Sequence, residues 1–363
     1  MKNIFSKLMQ FFTDRFTDTQ IKITSLVLVI LTVLGGSGYW ILTTWYQPLG
    51  PSLVLRTSTP EGISQGTLPS EGTSVAGENL TLGVEPVCGA PPTMSILISG
   101  VASQRYTYGL ADAIRLVRID FQTQTISVLA LPRDLWVEIP ELEGHGISVG
   151  KLNQAYFYGT PGMGYYDGSG FGSGLLAFTL QENYGVWIDH YLAVNLNSFV
   201  QIINTIGGID VFLGSDVYRR VKGQPELFLK AGSHHLNGKE AEILARQRIE
   251  IGDFGRINNQ TVILKGIAAK MLTPSGIKLI PDLVDQLKEN VLTDLNPDQI
   301  SQLVCLAGKI DFQEDVIFKT LPEELMDQTM VLDPARDFYT SALVGNNPEI
   351  RDLIADFQAG IWP

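Results

Sequence analysis

The chain has 363 residues, of which 45% are hydrophobic and 18% charged, and its formal net charge is -12 at pH 7. This length and composition allow one large domain with a sizeable core, or two small ones. The acidic total excludes nucleic-acid binding through bulk charge, so no nucleic-acid partner is expected; a local basic site stays compatible with it.

Lys2, Lys7, Arg15 and Lys22 precede an uncharged apolar run from Ile23 to Trp45. A helix needs about 20 apolar residues to cross a bilayer core. Trp40, Trp45 and Tyr46 sit near one end, where aromatic rings favour the interface. The run predicts a transmembrane helix over 23–46 behind a cytoplasmic tail, 1–22, oriented by its basic residues. A cleaved signal peptide is the alternative, but its apolar core spans only about 7–15 residues and no small-x-small cleavage site follows Trp45. The expectation is a single-pass cell-membrane protein with its main domain extracytoplasmic. Residues 47–92 are rich in Pro, Gly, Ser and Thr and predict a flexible linker.

The two cysteines are Cys88 and Cys305. Outside the cytoplasm an even pair predicts a disulfide; two buried thiols are the alternative. No CxxC or Cys/His cluster marks a zinc site.

"TMSILISGV" (93–101) predicts a buried strand. Residues 113–131 predict two strands around the turn Asp120–Gln124, the first with a wet face because Arg115 and Arg118 break the alternation. "LWVEI" (135–139) predicts another strand. The glycine-rich stretch 159–174 predicts a mobile lid, a close backbone approach or a plain surface loop. "GLLAFTLQENYG" predicts a helix stopped by Gly185, and "HYLAVNL" a strand. "NSFVQIINTIGG" predicts a helix capped by Asn197 or Ser198. "IDVFL" is a strand; "NGKEAEILARQR" and residues 256–272 are helices, and 276–310 predicts two more. The mixture predicts a three-layer α/β/α domain with a central mixed sheet. Its main part is 93–272, and 273–363 is a helical elaboration of it.

Four segments carry polar residues beside apolar elements: "GLADAI" with Asp112, "LALPRDLWVEIP" with Arg133 and Asp134, "HGISVGKLNQAYFYG" with Lys151 and Asn153, and "LARQRIEIGDFGR" with Arg246, Arg248, Asp253 and Arg256, followed by Gln260. Singly, each has a plain structural explanation: a loop ion pair contributes about 0–1 kcal/mol at a surface, and Asp112 suits a turn. Arg246 and Arg248 cannot share a helix face, yet they can converge at a fraying helix end. Together the residues suit an anion site, because guanidinium forks match phosphate oxygens and carboxylates among them can hold a divalent cation.

At these segments the chain resembles the LytR-CpsA-Psr family of bacterial cell-wall assembly, through "LPRD", "KLNQAY", "NLNSFVQIINTIGGIDV", "LNGKEAEILARQR" and "DFGRINNQ" in matching order over about 94–272. The resemblance implies a membrane-anchored phosphotransferase that moves a glycopolymer from a polyprenyl-pyrophosphate carrier to peptidoglycan, at a muramic-acid hydroxyl. It implies an apolar tunnel for the lipid and Mg2+ at its mouth. Carried over, Arg133, Lys151, Asn153, Arg246, Arg248 and Gln260 would contact the pyrophosphate, Asp112 would hold the metal, and Asp253 and Arg256 would join Arg133 in catalysis. The chain departs from the family pattern at Ala102, where an aspartate is usual, and at Leu110 and Asn259, where arginines are common. Arg105 would replace a lost cation if its loop folded inward. The alternatives are a binding protein for polyprenyl phosphates or glycopolymer without turnover, and a pyrophosphatase without transfer. Transcriptional regulation fits poorly, since a tail of 22 residues is too short for a folded DNA-binding domain.

Overall fold

The computed structural model describes residues 50–55, 85–249, 252–287 and 290–362. The predicted cytoplasmic tail and membrane helix lie outside the described residues, as does most of the predicted linker. Among the described residues no helix is long and apolar enough to cross a membrane.

The elements run β1 (Thr93–Val101), β2 (Ala111–Asp120), β3 (Thr125–Leu131), β4 (Trp136–Glu138), β5 (Val149–Lys151), α1 (Leu152–Tyr158), α2 (Phe171–Tyr184), β6 (His190–Asn195), α3 (Leu196–Thr205) and β7 (Ile209–Leu213). Then come β8 (Val217–Val221), β9 (Gln224–Leu229), β10 (Gly232–Leu236), α4 (Gly238–Ala245), α5 (Gly252–Met271), α6 (Pro274–Ile277), α7 (Ile280–Leu287), β11 (Val291–Thr293), α8 (Pro297–Ala307), α9 (Phe312–Asp315), β12 (Val316–Thr320), β13 (Met326–Asp333), β14 (Phe338–Gly345) and α10 (Asn347–Ala359). Six strands form the central sheet in the order β11-β6-β1-β2-β3-β12. It is mixed: β1 runs antiparallel to β2 and parallel to β6, and β12 runs parallel to β3.

Alternation along the strands divides the core into two faces. Leu97, Val101, Ile114, Leu116, Leu129 and Leu131 pack with α1, α2 and α10 through residues such as Leu152, Leu175, Leu180 and Ile354. Met94, Ile96, Val117, Ile119 and Val128 face the other way and meet Leu306 of α8. On that second side, α3, α4 and α5 gather with β7 and β10 around Ile203, Leu244 and Ile263. Helices on both faces of a mixed sheet agree with the fold expected from the sequence.

Several local expectations are corrected. The cap of α3 is Asn195, whose Oδ1 accepts the Ser198 N–H at 2.9 Å; it is the last residue of β6, so strand and helix share it, and such a cap contributes about 1 kcal/mol. The strand expected over 135–139 is present as β4, and it pairs with β5 in a hairpin apart from the central sheet. The first strand has no wet face at its arginines. Arg115 is 2% exposed, and Arg118 pairs with Asp120 at 2.8 Å and donates to the Gln358 carbonyl at 2.9 Å. Residues 273–363 are not simply helical, since they supply both edge strands of the central sheet, β11 and β12, and the β13–β14 hairpin. The glycine-rich stretch is a close backbone approach: a Cβ at Gly172 would lie 2.6 Å from the Tyr156 carbonyl oxygen, where α1 meets α2.

Part of the predicted linker is docked. Asp294 accepts the Leu53 N–H at 3.0 Å and the Tyr191 N–H at 2.9 Å, and Tyr191 Oη donates to the Pro51 carbonyl at 3.0 Å. Cys88 and Cys305 form a disulfide across 217 residues, joining the turn Val87–Gly89 to α8.

Candidate active site

The site sits where β2 begins and β3 ends. The β2–β3 register pairs Ile114 with Leu131, so two further residues outward Asp112 faces Arg133. Arg133 Nη1 donates to Asp112 Oδ1 at 2.5 Å. Asp134 lies beside the same guanidinium at 3.5 Å and meets Lys151 Nζ at 3.1 Å. The second strand of residues arrives on the β5–α1 junction, held by Asn153 N–H to the Arg133 carbonyl at 3.0 Å.

Helix α5 supplies the rest. Asp253, Arg256 and Gln260 are spaced to share one helical face, which turns toward β2. Asp253 lies in the first turn of α5, where the helix dipole favours a carboxylate. Its Oδ1 lies 3.4 Å from Arg133 Nε and 2.6 Å from Arg256 Nη2. Gln260 Nε2 donates to the Asp112 carbonyl at 3.2 Å, and its Oε1 accepts from Arg115 Nη2 at 3.1 Å.

Helix α4 ends at Ala245, which frees the two following arginines to diverge. Arg248 Nη2 reaches to 3.8 Å from Asp112 Oδ2. Arg246 turns back to Glu242 Oε1 at 3.1 Å, and its side chain is 62% exposed.

The buried polar atoms are incompletely satisfied. Arg256 is 1% exposed, and despite the short approach to Asp253, none of its three guanidinium nitrogens makes an aligned hydrogen bond. The same holds for Arg133 Nε and for both Asp253 carboxylate oxygens. Buried charge without hydrogen bonds is costly, and a buried guanidinium with free N–H groups is prepared for an anion. Burial, and then the neighbouring Arg133, lower the Arg256 pKa to about 10. Burial also lowers Arg115 to about 10, with Arg256 the second cause. For Arg133 burial acts in the same direction, yet Asp112 and Asp134 overcome it and raise the guanidinium above its ordinary value.

An apolar cavity of about 390 Å³ opens at this network. Its floor is Ile98, Gly100, Ala113, Leu192 and Val194 of the sheet, and its roof is Phe199, Ile202, Ile263, Leu264 and Ile267 of α3 and α5. Gly100 and Ala113 are register partners on β1 and β2; their small side chains leave the space open. Asp112, Arg246, Arg248, Arg256 and Gln260 line its polar part.

Of the residues singled out from sequence, Asp112, Arg133, Arg248, Asp253, Arg256 and Gln260 come together, and Lys151 joins through Asp134. Arg246 lines the cavity but pairs outward, while Lys151, Asn153, Arg133 and Asp253 stand behind its lining. Asn153 is buried, and its Oδ1 has no hydrogen-bond partner. Ala102 lines the same cavity as Asp112 and donates its N–H to the Leu110 carbonyl at 2.9 Å. Arg105 is exposed and does not replace the missing cation. Sequence reasoning missed Arg115, which is a buried cation under the cavity, and Glu242, which holds Arg246 and Lys239. The Glu242–Arg246 spacing of four was the available signal.

Among proteins of known role, the chain is 30% identical over 227 residues to the Bacillus cereus polyisoprenyl-teichoic acid–peptidoglycan teichoic acid transferase TagU, covering 61% of this chain and 68% of that protein. It is 30% identical over 210 residues to TagV of Bacillus subtilis, covering 55% of this chain but 49% of that one. The crystal structure of B. subtilis TagV matches with a TM-score of 0.56 at 24% identity, over 74% of this chain and 97% of that one, and shows the shared fold. The LytR_cpsA_psr family model matches residues 70–340, beyond the 94–272 that the motifs alone cover. With the motif residues gathered at one cavity mouth and the family model spanning most of the sequence, the chain belongs to the LytR_cpsA_psr family.

Proposed function

We propose that this protein is a membrane-anchored phosphotransferase that attaches a polyprenyl-pyrophosphate-linked glycopolymer to peptidoglycan outside the cytoplasm. The observation that carries the reading is the apolar cavity with Asp112, Arg248 and Arg256 at its mouth. A polyprenyl chain buries apolar surface there at about 25 cal/mol per Å², and its diphosphate meets the Arg256 guanidinium, whose three nitrogens make no aligned hydrogen bond. The teichoic acid transferases among the relatives act on such a lipid-linked polymer and on peptidoglycan, as their names state.

In the transfer, a sugar hydroxyl of the acceptor attacks the phosphorus that bears the glycopolymer. The bond to the bridging oxygen breaks, and prenyl phosphate leaves. Charge grows on the bridging and equatorial oxygens, where Arg248 and Arg256 at the cavity mouth stabilise it, while Arg133 behind the lining holds Asp112 in place. Asp253 takes the hydroxyl proton on Oδ2, which makes no hydrogen bond, while its Oδ1 stays paired with Arg256 Nη2 at 2.6 Å. Gln260 ties the Asp112 backbone to the buried Arg115 and keeps the mouth rigid.

The residues present suit Mg2+. Mg2+ sites often use one or two carboxylates plus substrate phosphates. Asp112 Oδ2 fits that role, since Arg248 and Arg256 approach it only to 3.8 and 4.0 Å. Bound there, Mg2+ would neutralise phosphate charge. Among the described residues no group of three His, Cys, Asp or Glu could hold a metal alone, so the phosphates would complete its coordination.

The test is transfer from a synthetic polyprenyl-pyrophosphate glycan to peptidoglycan fragments with magnesium. Arg248→Ala should lower the rate roughly 100-fold, the scale for losing one charge-stabilising donor. Equal rates would remove this reading. A methyl rather than a carboxylate at Ala102 in the cavity lining that includes Asp112 favours a second reading, in which the domain holds the lipid-linked polymer without turning it over. Lipid retained through purification, with neither transfer nor phosphate release, would decide for it.

A further inference from the structure

The apolar cavity has a cation built into its floor. Arg115 follows Ala113 on the cavity side of β2, and its partner on β1 is Ile98, another floor residue. A strand rises about 3.3 Å per residue, so Arg115 is rooted about 10 Å inward of Asp112. It is 2% exposed. Its guanidinium reaches back toward the mouth. Nη2 donates to Gln260 Oε1 at 3.1 Å, and the same Gln260 side chain donates to the Asp112 carbonyl at 3.2 Å. Nη1 donates to the Ile114 carbonyl at 3.0 Å.

Both of these partners are neutral. The carboxylates of the cavity lining are engaged elsewhere, Asp112 by Arg133 Nη1 at 2.5 Å and Glu242 by Lys239 and Arg246. Burial first and then the neighbouring Arg256 lower the Arg115 pKa to about 10, and no carboxylate among the described residues opposes them. Arg115 is therefore a buried cation whose charged neighbour is a second cation. Such an arrangement costs stability unless an anion completes it. The place restricts the anion. Around and beyond Arg115 the lining is apolar, with Ile98, Leu192, Ile263 and Ile267. The occupant must join an anionic group directly to an apolar chain. Arg248, by contrast, stands at the rim with its side chain 48% exposed.

We propose that Arg115 binds the lipid-side phosphate of a prenyl diphosphate, while Arg248 at the rim holds the outer, reacting phosphate. The assignment deepens the transferase reading and rests on it. The lipid-side phosphate is the leaving group of the transfer. The acceptor hydroxyl oxygen bonds to the outer phosphorus, and its proton goes to Asp253. The bond from that phosphorus to the bridging oxygen breaks, and the electron pair stays on the oxygen. The departing prenyl phosphate thus gains a negative charge beside Arg115, in a dry site where a fixed cation is most effective.

The experiment measures binding of three short-chain prenyl probes, the diphosphate, the monophosphate and the alcohol. The full chain is compared with its Arg115→Met, Arg115→Lys and Arg248→Ala variants. Arg115→Met should weaken the diphosphate and the monophosphate alike, by roughly 30-fold, the low end for removing one partner of a buried charge pair. It should bind the alcohol no more weakly than wild type and keep its Tm, since an apolar side chain replaces a buried cation. Arg115→Lys keeps the charge and should bind both phosphates more tightly than Arg115→Met. Arg248→Ala should weaken the diphosphate and spare the monophosphate, which has no outer phosphate. The assignment is overturned if Arg115→Met binds both phosphates as wild type does, or if it loses the alcohol and its Tm as well. It is also overturned if Arg115→Met weakens the diphosphate alone, which would make Arg115 a brace for Gln260. Wild type that binds no prenyl diphosphate would overturn the transferase reading itself, and this assignment with it.

Discussion

Arg256 concentrates the electrostatic argument. It is buried beside Asp253 and within 4.0 Å of Asp112, but its N–H groups are not aligned with either carboxylate. Arg256→Ala leaves Asp253 buried with one fewer cation, a change that typically costs about 3–5 kcal/mol; chemical denaturation should show it. Protonation supplies an independent handle. Burial lowers Arg256 and Arg115 to about 10, so these guanidiniums lose their charge earlier on an alkaline titration than ordinary arginines do. Affinity for a diphosphate should therefore hold constant to about pH 9 and fall as pH rises through about 10. For stability the sign is opposite: with the folded pKa below the unfolded one, the unfolded chain binds more protons in that window, so these two groups favour folding more as pH rises from about 10 toward the unfolded value. A diphosphate affinity that stays flat up to pH 11 would contradict this loss of charge at Arg256 and Arg115. At this scale the sequence was partly legible. Asp112, Arg133, Arg248, Asp253 and Gln260 stand in recognisable segments. Arg115 was not legible, because a lone arginine in an apolar strand reads as a wet face unless the helix covering it is known.

The element that positions the site from behind is the β13–β14 hairpin. Asp333, fully buried, accepts from Gln154 Nε2 at 2.9 Å and Arg336 Nε at 2.8 Å. Gln154 Oε1 in turn accepts the Lys151 N–H at 2.6 Å, and Leu343 N–H donates to the Asp134 carbonyl at 2.9 Å. One hairpin thus braces both Asp134 and Lys151, which form an ion pair. Asp333→Ala leaves Gln154 Nε2 with only the long bond to the Tyr158 hydroxyl at 3.3 Å and removes the partner of Arg336, and should destabilise the fold by about 1–3 kcal/mol. It should also lower transfer, and the effect should be smaller in a Lys151→Ala background, since coupled residues are not additive. Additive effects would show that the hairpin acts on stability alone. The hairpin was illegible as a support because residues 273–363 carry helical stretches in sequence, while their strands are short and pair at the sheet edge. The α3 cap was misplaced for a related reason: Asn195 closes β6 and opens α3 at once, so strand and helix patterns overlap there. By contrast, β1 was legible to the residue, since a β-branched apolar run between turn residues has few other structures open to it.

Across the whole molecule, two long-range ties hold the N-terminal part of the described chain, one to α8 and one beside β6. The Cys88–Cys305 disulfide closes a loop of 217 residues, and Asp294 clamps residues 50–55 beside β6. Replacing both cysteines with serine should cost about 2–4 kcal/mol, seen as a lower Tm that reducing agent no longer changes. The pairing was legible from the count of two cysteines in an extracytoplasmic reading. The clamp was not, because Pro51–Leu55 looks like any other part of a Pro- and Ser-rich linker. The largest consequence of the assembly is the apolar cavity between the sheet and α3–α5, which sequence cannot separate from a packed core. The most direct test of the account is prenyl diphosphate affinity as a function of chain length, in wild type and in Ala113→Leu, which fills the cavity floor while leaving the arginines in place. Wild type should gain affinity as the chain lengthens, and Ala113→Leu should lose that gain while keeping its folding stability. A variant that binds long chains as tightly as wild type would contradict this.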